Sequence, residues 1–239
     1  MDAGRDSLVG LSSVPQIFPK QTRIYFFVLA GAVSVLGLFT VGAVAYYATP
    51  KFWRVGYMPD QPIPFSHLLH VEHLGLDCRH CHNHVEESYF SNVPDTQTCY
   101  NCHGQELGNI KAQSPKLAAM RESWATGNPI PWVRLHRVPD YARFNHAVHV
   151  RRGVSCVECH GQINEMEVVY HAKPLSMGWC LQCHRNPGPS LRPADQVTNL
   201  SWTPEGDPRT RGEAREQLVN YLLNDVKVHP NVNCSTCHM

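Results

Sequence analysis

Residues Phe65 to His82 read FSHLLHVEHLGLDCRHCH, and this stretch decides how the rest of the chain is read. It ends in Cys78-Arg79-His80-Cys81-His82, a C-x-x-C-H motif. Four more copies follow: Cys99-Tyr100-Asn101-Cys102-His103, Cys156-Val157-Glu158-Cys159-His160, Cys180-Leu181-Gln182-Cys183-His184 and Cys234-Ser235-Thr236-Cys237-His238. All ten cysteines of the 239 residues are used, and none is left over. C-x-x-C-H is the attachment signature of c-type haem. The two thiols form thioethers to the porphyrin vinyl groups, and the adjacent histidine lies under the ring and binds the iron. Zinc sites and redox disulfides also use C-x-x-C, but neither needs a histidine directly after every second cysteine. With 15 histidines in the chain, chance placement at all five positions is on the order of one in a million. The sequence therefore predicts five covalently bound haem c groups. Their proximal ligands are His82, His103, His160, His184 and His238.

Composition sets the architecture around them. Lys and Arg number 21 against 20 Asp and Glu, which gives no basic footprint for nucleic acid. Haem propionates make the finished protein more acidic than the chain. Beyond residue 50, about 38 residues remain for each haem, too few to wrap an ordinary core around each one. The haems must themselves form the core, in contact with one another. Eighteen prolines and 16 glycines suit a loop-rich wrapping. The expected fold is mostly α and irregular, with short helices at the motifs and almost no sheet.

Ile24 to Tyr47, IYFFVLAGAVSVLGLFTVGAVAYY, carries no charge. As a helix it would extend roughly 36 Å, enough to cross a bilayer. Tyr25, Phe26 and Phe27 at one end and Tyr46, Tyr47, Phe52 and Trp53 at the other resemble interfacial belts. The apolar run of a cleaved signal peptide is shorter, about 7–15 residues, so an uncleaved anchor is expected. Lys20 and Arg23 precede the span and Lys51 and Arg54 follow it, which makes the positive-inside signal weak. Haem attachment on the outer side of the cytoplasmic membrane instead sets the orientation. Residues 1–22 form a cytoplasmic tail, 23–48 a single-pass anchor, and 49–239 a pentahaem domain on the periplasmic side. Small residues Ala30, Gly31, Ser34 and Gly37 would let another helix approach closely.

The haem domain contains a repeat. Phe65-Ser66-His67-Leu68-Leu69-His70-Val71 precedes motifs one and two, and Phe144-Asn145-His146-Ala147-Val148-His149-Val150 precedes motifs three and four. Repeat one covers about 64–127 and repeat two about 143–190. The fifth motif closes a segment of about 191–239 without this preamble. Low-spin haem iron takes a ligand on each face. The recurring His67, His70, His146 and His149 are the distal candidates, the first of each pair for the haem of its own motif and the second for a neighbour. For the fifth distal position His136 ranks first, then Met177 and Met166, then His171 and His229. The two methionines could equally be packing against porphyrin. His73, His80 and His84 crowd the first motif and are read as surface or propionate contacts. Two connecting helices are expected. One runs from Ser114-Pro115 to Gly127. The other starts from a capping box at Thr210 and Glu213, with Leu218, Leu222 and Val226 on one face. Asn186-Pro187-Gly188-Pro189 and Arg192-Pro193 read as an extended linker.

F-x-H-x-x-H before C-x-x-C-H resembles the multihaem cytochromes of the c3/c7 type. With one anchor, five motifs, Pro62-Ile63-Pro64-Phe65-Ser66-His67, Trp132-Val133-Arg134-Leu135-His136 and Leu175-Ser176-Met177-Gly178-Trp179-Cys180, the chain past residue 20 resembles the pentahaem subunit of alternative complex III. That resemblance implies an electron-relay subunit with no substrate site of its own, in a complex that oxidises quinol. The implied partners are an iron–sulfur subunit, multi-span quinol-binding subunits, a monohaem cytochrome c, and a soluble cytochrome c or blue-copper acceptor. Two other readings compete. Stand-alone quinol dehydrogenases of the NapC/NirT group usually carry their first motif closer to the membrane than Cys78 lies. Multihaem reductases need an open iron position and often replace a proximal histidine with lysine, which no motif here does.

Overall fold

The computed structural model describes residues 17–19, 21–49 and 52–238. Most of the expected cytoplasmic tail, together with Lys20 and Lys51, lies outside these. Contacts divide the chain into two units, one ending at Thr49 and one beginning at Pro50.

The first unit is one helix, α1 (Thr22–Tyr47), with a mean hydropathy of 2.3. At 26 residues it extends about 39 Å, so it is long and apolar enough to cross a membrane. None of its residues is buried within the protein, so its apolar surface is left for lipid or for another chain. Ser34 and Thr40 in its interior bond back along the helix. Ser34 Oγ donates to Ala30 O at 2.8 Å, and Thr40 Oγ1 donates to Leu36 O at 2.8 Å. Both are thereby satisfied without water.

The second unit is helical and irregular, and among the described residues it has no β-strand. Two isolated bridges, Ala142 with His238 and Val154 with Leu191, stand in for sheet. Its helices are short: α2 (Cys78–Cys81), α3 (Thr96–His103), α4 (Ala118–Thr126), α5 (His146–Arg151), α6 (Cys156–His160), α7 (Met177–Arg185), α8 (Glu213–Asn224) and α9 (Cys234–Cys237). The expected class, a long apolar helix followed by a strandless domain of short helices, is the class observed.

Helices of one to three turns need help at their ends, because nucleation is costly and the first amides lack partners. The sequence supplies caps. Asp77 accepts from Arg79 N before α2, and Asp95 from Thr98 N before α3. Asn145 accepts from Val148 N before α5, and Ser176 from Trp179 N before α7. Each such cap contributes about 1 kcal/mol. Three of the five motifs, the first, second and fourth, thus lie in a helix with a side-chain N-cap, which helps fix where their cysteines sit.

Two small apolar clusters hold the wrapping together. Ile63, Tyr100, Met120 and Ile130 form one, bordered by Cys99 and Trp132, and Val85, Val150 and Val197 form the other. Tyr100 stacks on Trp124 with centroids 3.9 Å apart.

The connecting segments follow the sequence in part. Ser114 caps a 3-10 turn at Pro115–Leu117 that runs into α4, and Gly127 closes it at φ 73°. The expected capping box does not form. Thr210 is buried and donates its hydroxyl to Pro204 O at 2.9 Å, and α8 begins after Gly212 at φ 50°. A local turn captured the hydroxyl that the helix would have used, and Val226 falls beyond the helix end. Nor is 186–193 a free linker. Gly188–Ser190 is a 3-10 turn, Leu191 is 1% exposed, and Arg192 N donates to Gly153 O at 3.0 Å. A Cβ on Gly153 would strike Arg192 O, so glycine with φ 83° is what allows the two strands of chain to touch.

Candidate haem-binding centre

The repeat seen in sequence recurs as a repeat in space. Phe65 meets His67 edge-on at 4.9 Å and stacks on His70 at 4.3 Å. Phe144 meets His146 edge-on at 4.8 Å and stacks on His149 at 4.5 Å. One phenyl ring thus sets the rotation of two imidazoles three residues apart. The second imidazole of each pair is also held by its own helix turn. His70 Nδ1 lies 2.8 Å from Ser66 O, and His149 Nδ1 lies 2.7 Å from Asn145 O. The two preambles differ in winding, a π turn over Leu68–His73 against the α-helical α5.

Three motif histidines, and His146, are held in the same way by the main chain. Nδ1 of His82 lies 2.6 Å from Asn92 O, that of His103 2.6 Å from Ile110 O, and that of His184 2.8 Å from Asn231 O. Nδ1 of His146 lies 2.7 Å from Tyr89 O. A carbonyl only accepts, so each of these Nδ1 atoms carries the proton and Nε2 is left as a lone pair. Metal-bound histidines are oriented in this manner.

Spacing tests whether these rings fit an iron between them. Two imidazoles on one metal, each with a bond of about 2 Å, have centroids about 6 Å apart. His70 and His103 are 6.2 Å apart, His149 and His184 6.1 Å, and His146 and His160 6.5 Å. His67 lies near His82. Its basicity is pushed down to about 4, first by burial and then by the charges of His82 and His70, and its Nδ1 is buried with no hydrogen-bond partner. The donor set fits haem c at these places: two cysteines, an imidazole below, and an imidazole above.

The thiols show how the motifs adjoin. In the haem-bound chain these sulfurs are thioethers, so their shifts report position rather than reactivity. A hydrogen bond with Cys156 is the main influence on Cys78. Burial and then Cys102 push the Cys81 thiol up, and burial and then Cys81 push Cys99 up. Burial followed by Cys183 pushes Cys159 up to about 12, and burial followed by Cys237 raises Cys180. The motifs therefore adjoin in the order second, first, third, fourth, fifth. Main-chain contacts tie the far end. Arg143 N donates to Cys237 O at 2.6 Å, and Tyr141 stacks on His238 at 5.8 Å.

The candidates for a fifth distal ligand are scattered. Nε2 of His136 lies 3.3 Å from Nδ1 of His160, their rings are 4.3 Å apart at 85°, and His136 is 5.1 Å from His171. Burial, then His171 and His146, push His136 down to about 4, so it is neutral near pH 7. Met166 is buried, Met177 is exposed at the start of α7, and His229 is exposed. His73, His80 and His84 are exposed.

Residues 142–239 match the family model of cytochrome c7 and related cytochrome c. That match covers repeat two and the fifth motif and implies covalently attached haem c. The chain is also 28% identical, over 174 residues, to the menaquinone reductase multiheme cytochrome c subunit of Nitratidesulfovibrio vulgaris. The aligned part is 63% of this chain and 79% of that protein.

Sequence reasoning pointed to the histidines but not to what holds them. The phenylalanines stood in the quoted repeat, two and five residues before the imidazoles they orient, and that spacing was the available signal. The carbonyls of Asn92, Ile110, Tyr89 and Asn231 have no side-chain signature, so nothing in the sequence marked them.

Proposed function

We propose that the chain is a membrane-anchored pentahaem cytochrome c that relays electrons in a quinol-linked respiratory or photosynthetic complex. The observation that carries this reading is the set of five C-x-x-C-H motifs, three of which have a second imidazole 6.1–6.5 Å from the motif histidine. Bound haem supplies one-electron exchange at iron without making or breaking bonds to a substrate.

The residues of the chain supply the rest. The ten cysteines hold the groups covalently, so none is lost from the series. His82, His103, His160, His184 and His238 would bind from one face. His67, His146, His70 and His149 would close the opposite face at the first, third, second and fourth motifs. At those four motifs, ligands on both faces would leave no position for a small molecule, which favours relay over catalysis at iron there. Imidazoles locked by carbonyls and phenyl rings move little between oxidation states. A fixed ligand set keeps the reorganisation small at each transfer.

The anchor places the unit in the cytoplasmic membrane, with the haem domain on the outer side where haem is attached. The sequence resemblance to the pentahaem subunit of alternative complex III supports quinol as donor. It supports an iron–sulfur subunit, multi-span subunits and a monohaem cytochrome c as partners, and a soluble cytochrome c or blue-copper protein as acceptor. The similarity to a menaquinone reductase subunit supports a second reading, in which electrons run towards quinone. The same series of sites serves either direction.

Extraction in mild detergent, identification of co-purifying chains by mass spectrometry, and assays in both directions separate the readings. Co-purification with iron–sulfur and multi-span chains and quinol:cytochrome c reductase activity is the expected result. Reduction of quinone alone supports the second direction. Isolation as a single chain that still oxidises quinol overturns the relay reading in favour of a stand-alone dehydrogenase.

A further inference from the structure

His160 is held differently from the motif histidines His82, His103 and His184. His82, His103 and His184 each give Nδ1–H to a main-chain carbonyl, whereas Nδ1 of His160 faces Nε2 of His136 at 3.3 Å. The acceptor is a side chain, and its own position is built. The His136 ring packs against His171 at 5.1 Å. His171 is 2% exposed and is fixed through its backbone, with Gly56 N donating to His171 O at 2.8 Å and His171 N to Tyr57 O at 2.9 Å.

Tautomers settle the direction of the bond. If Nε2 of His160 binds iron, its Nδ1 carries the proton and Nε2 of His136 accepts it. An Nε2 that accepts this proton has no lone pair to give to a metal. The rings are also 4.3 Å apart and nearly perpendicular, too close for a shared iron, which needs about 6 Å. A ring at 6.5 Å and nearly parallel to His160 is already present in His146.

We infer that His136 is a positioning residue for the axial ligand of the third motif, and not itself the ligand of a fifth haem. This rests on the reading of the chain as a haem-bound relay. The consequence is specific to the third haem, the centre of the series. Donation from Nδ1–H makes the ligating nitrogen more basic, and a more basic ligand favours the oxidised iron. Without the acceptor, the reduction potential of that one haem rises. Because the acceptor is a side chain, this haem can be tuned by substitution where its neighbours, held by carbonyls, cannot.

The test compares wild type with His136→Phe and His136→Gln in the full-length, membrane-extracted protein. Intact mass gives the number of attached haems, magnetic circular dichroism gives spin and ligand type, and a redox titration gives the potentials. The expected result for His136→Phe is an unchanged haem number, no new high-spin haem, and one reduction step moved to higher potential. His136→Gln, whose Oε1 can accept the same proton, moves that step back towards wild type. A new high-spin haem in His136→Phe, or one step moved equally by both variants, overturns the inference. If His136→Phe fails to accumulate, His136→Gln alone decides it. An unchanged ligand set with a potential near wild type supports the inference, and a changed ligand set refutes it. Wild-type protein without attached haem would instead sink the relay reading itself, which keeps the two failures apart.

Discussion

Replacing His149 with alanine probes the pairing of rings most cleanly. Both partners are individually fixed. His149 Nδ1 is bonded to Asn145 O at 2.7 Å and His184 Nδ1 to Asn231 O at 2.8 Å, with the rings 6.1 Å apart. The substitution removes one side-chain hydrogen bond, a cost of about 1 kcal/mol, and alanine suits helix α5 well. The fold should survive, and the four thioether motifs other than the fourth are untouched. At the fourth motif His184 remains but its partner is gone. About one fifth of the haem iron should then become high-spin or take a foreign ligand. Haem number per chain is read from intact mass and spin state from low-temperature EPR. His73→Ala, at an exposed ring, is the control and should change neither. Five low-spin haems in His149→Ala, with wild-type potentials, would refute the assignment of His149 to that site.

Other expectations follow from named contacts. Asp77 accepts from Arg79 and from Thr198 Oγ1 at 3.0 Å, and these bonds hold its carboxyl down to about 2. Its folded value lies below the unfolded one. The stabilisation is therefore complete above about pH 4 and disappears as the pH falls towards 2, and Asp77→Asn should flatten the acid limb of a stability-against-pH curve over that window. Met120 is fully buried between Ile63, Tyr100 and Ile130, so Met120→Ala should cost about 2–5 kcal/mol in a denaturant titration. Gly153→Ala forces a side chain at φ 83° against Arg192 O, and the thermal midpoint should drop while haem number stays constant. Removing both cysteines of the third motif, Cys156→Ala with Cys159→Ala, should lower the mass by one haem. It should also slow electron transfer between the ends of the series far more than loss of the fifth motif slows reduction of the first four.

How much of this was legible in the sequence depended on the range of the interaction. The long apolar helix and the five motifs are contiguous, and short-range patterns mark them, so spacing alone made them legible. The F-x-H-x-x-H repeat was legible as a pattern, but the reason for its phenylalanine emerged only from the two ring contacts it makes. Thr210 misled because a hydroxyl three residues before Glu213 has two possible partners, the Glu213 amide as donor and a nearby carbonyl as acceptor, and the turn at Pro204 won. Leu191 and Arg192 misled because proline-rich composition resembles a linker, whereas a bridge to Val154 buries the segment. The order of the motifs was not legible at all. Motif one adjoins motif three across more than seventy residues, and nothing local encodes that.

Intact mass of the protein purified under denaturing conditions tests the central claim most directly, because thioether-bound haem stays on the unfolded chain and adds its mass, whereas a bound metal is released and a disulfide adds none. The account predicts the mass of the chain plus five haems. A mass of the bare chain, or of the chain with fewer than five haems per molecule in fully matured protein, would contradict it.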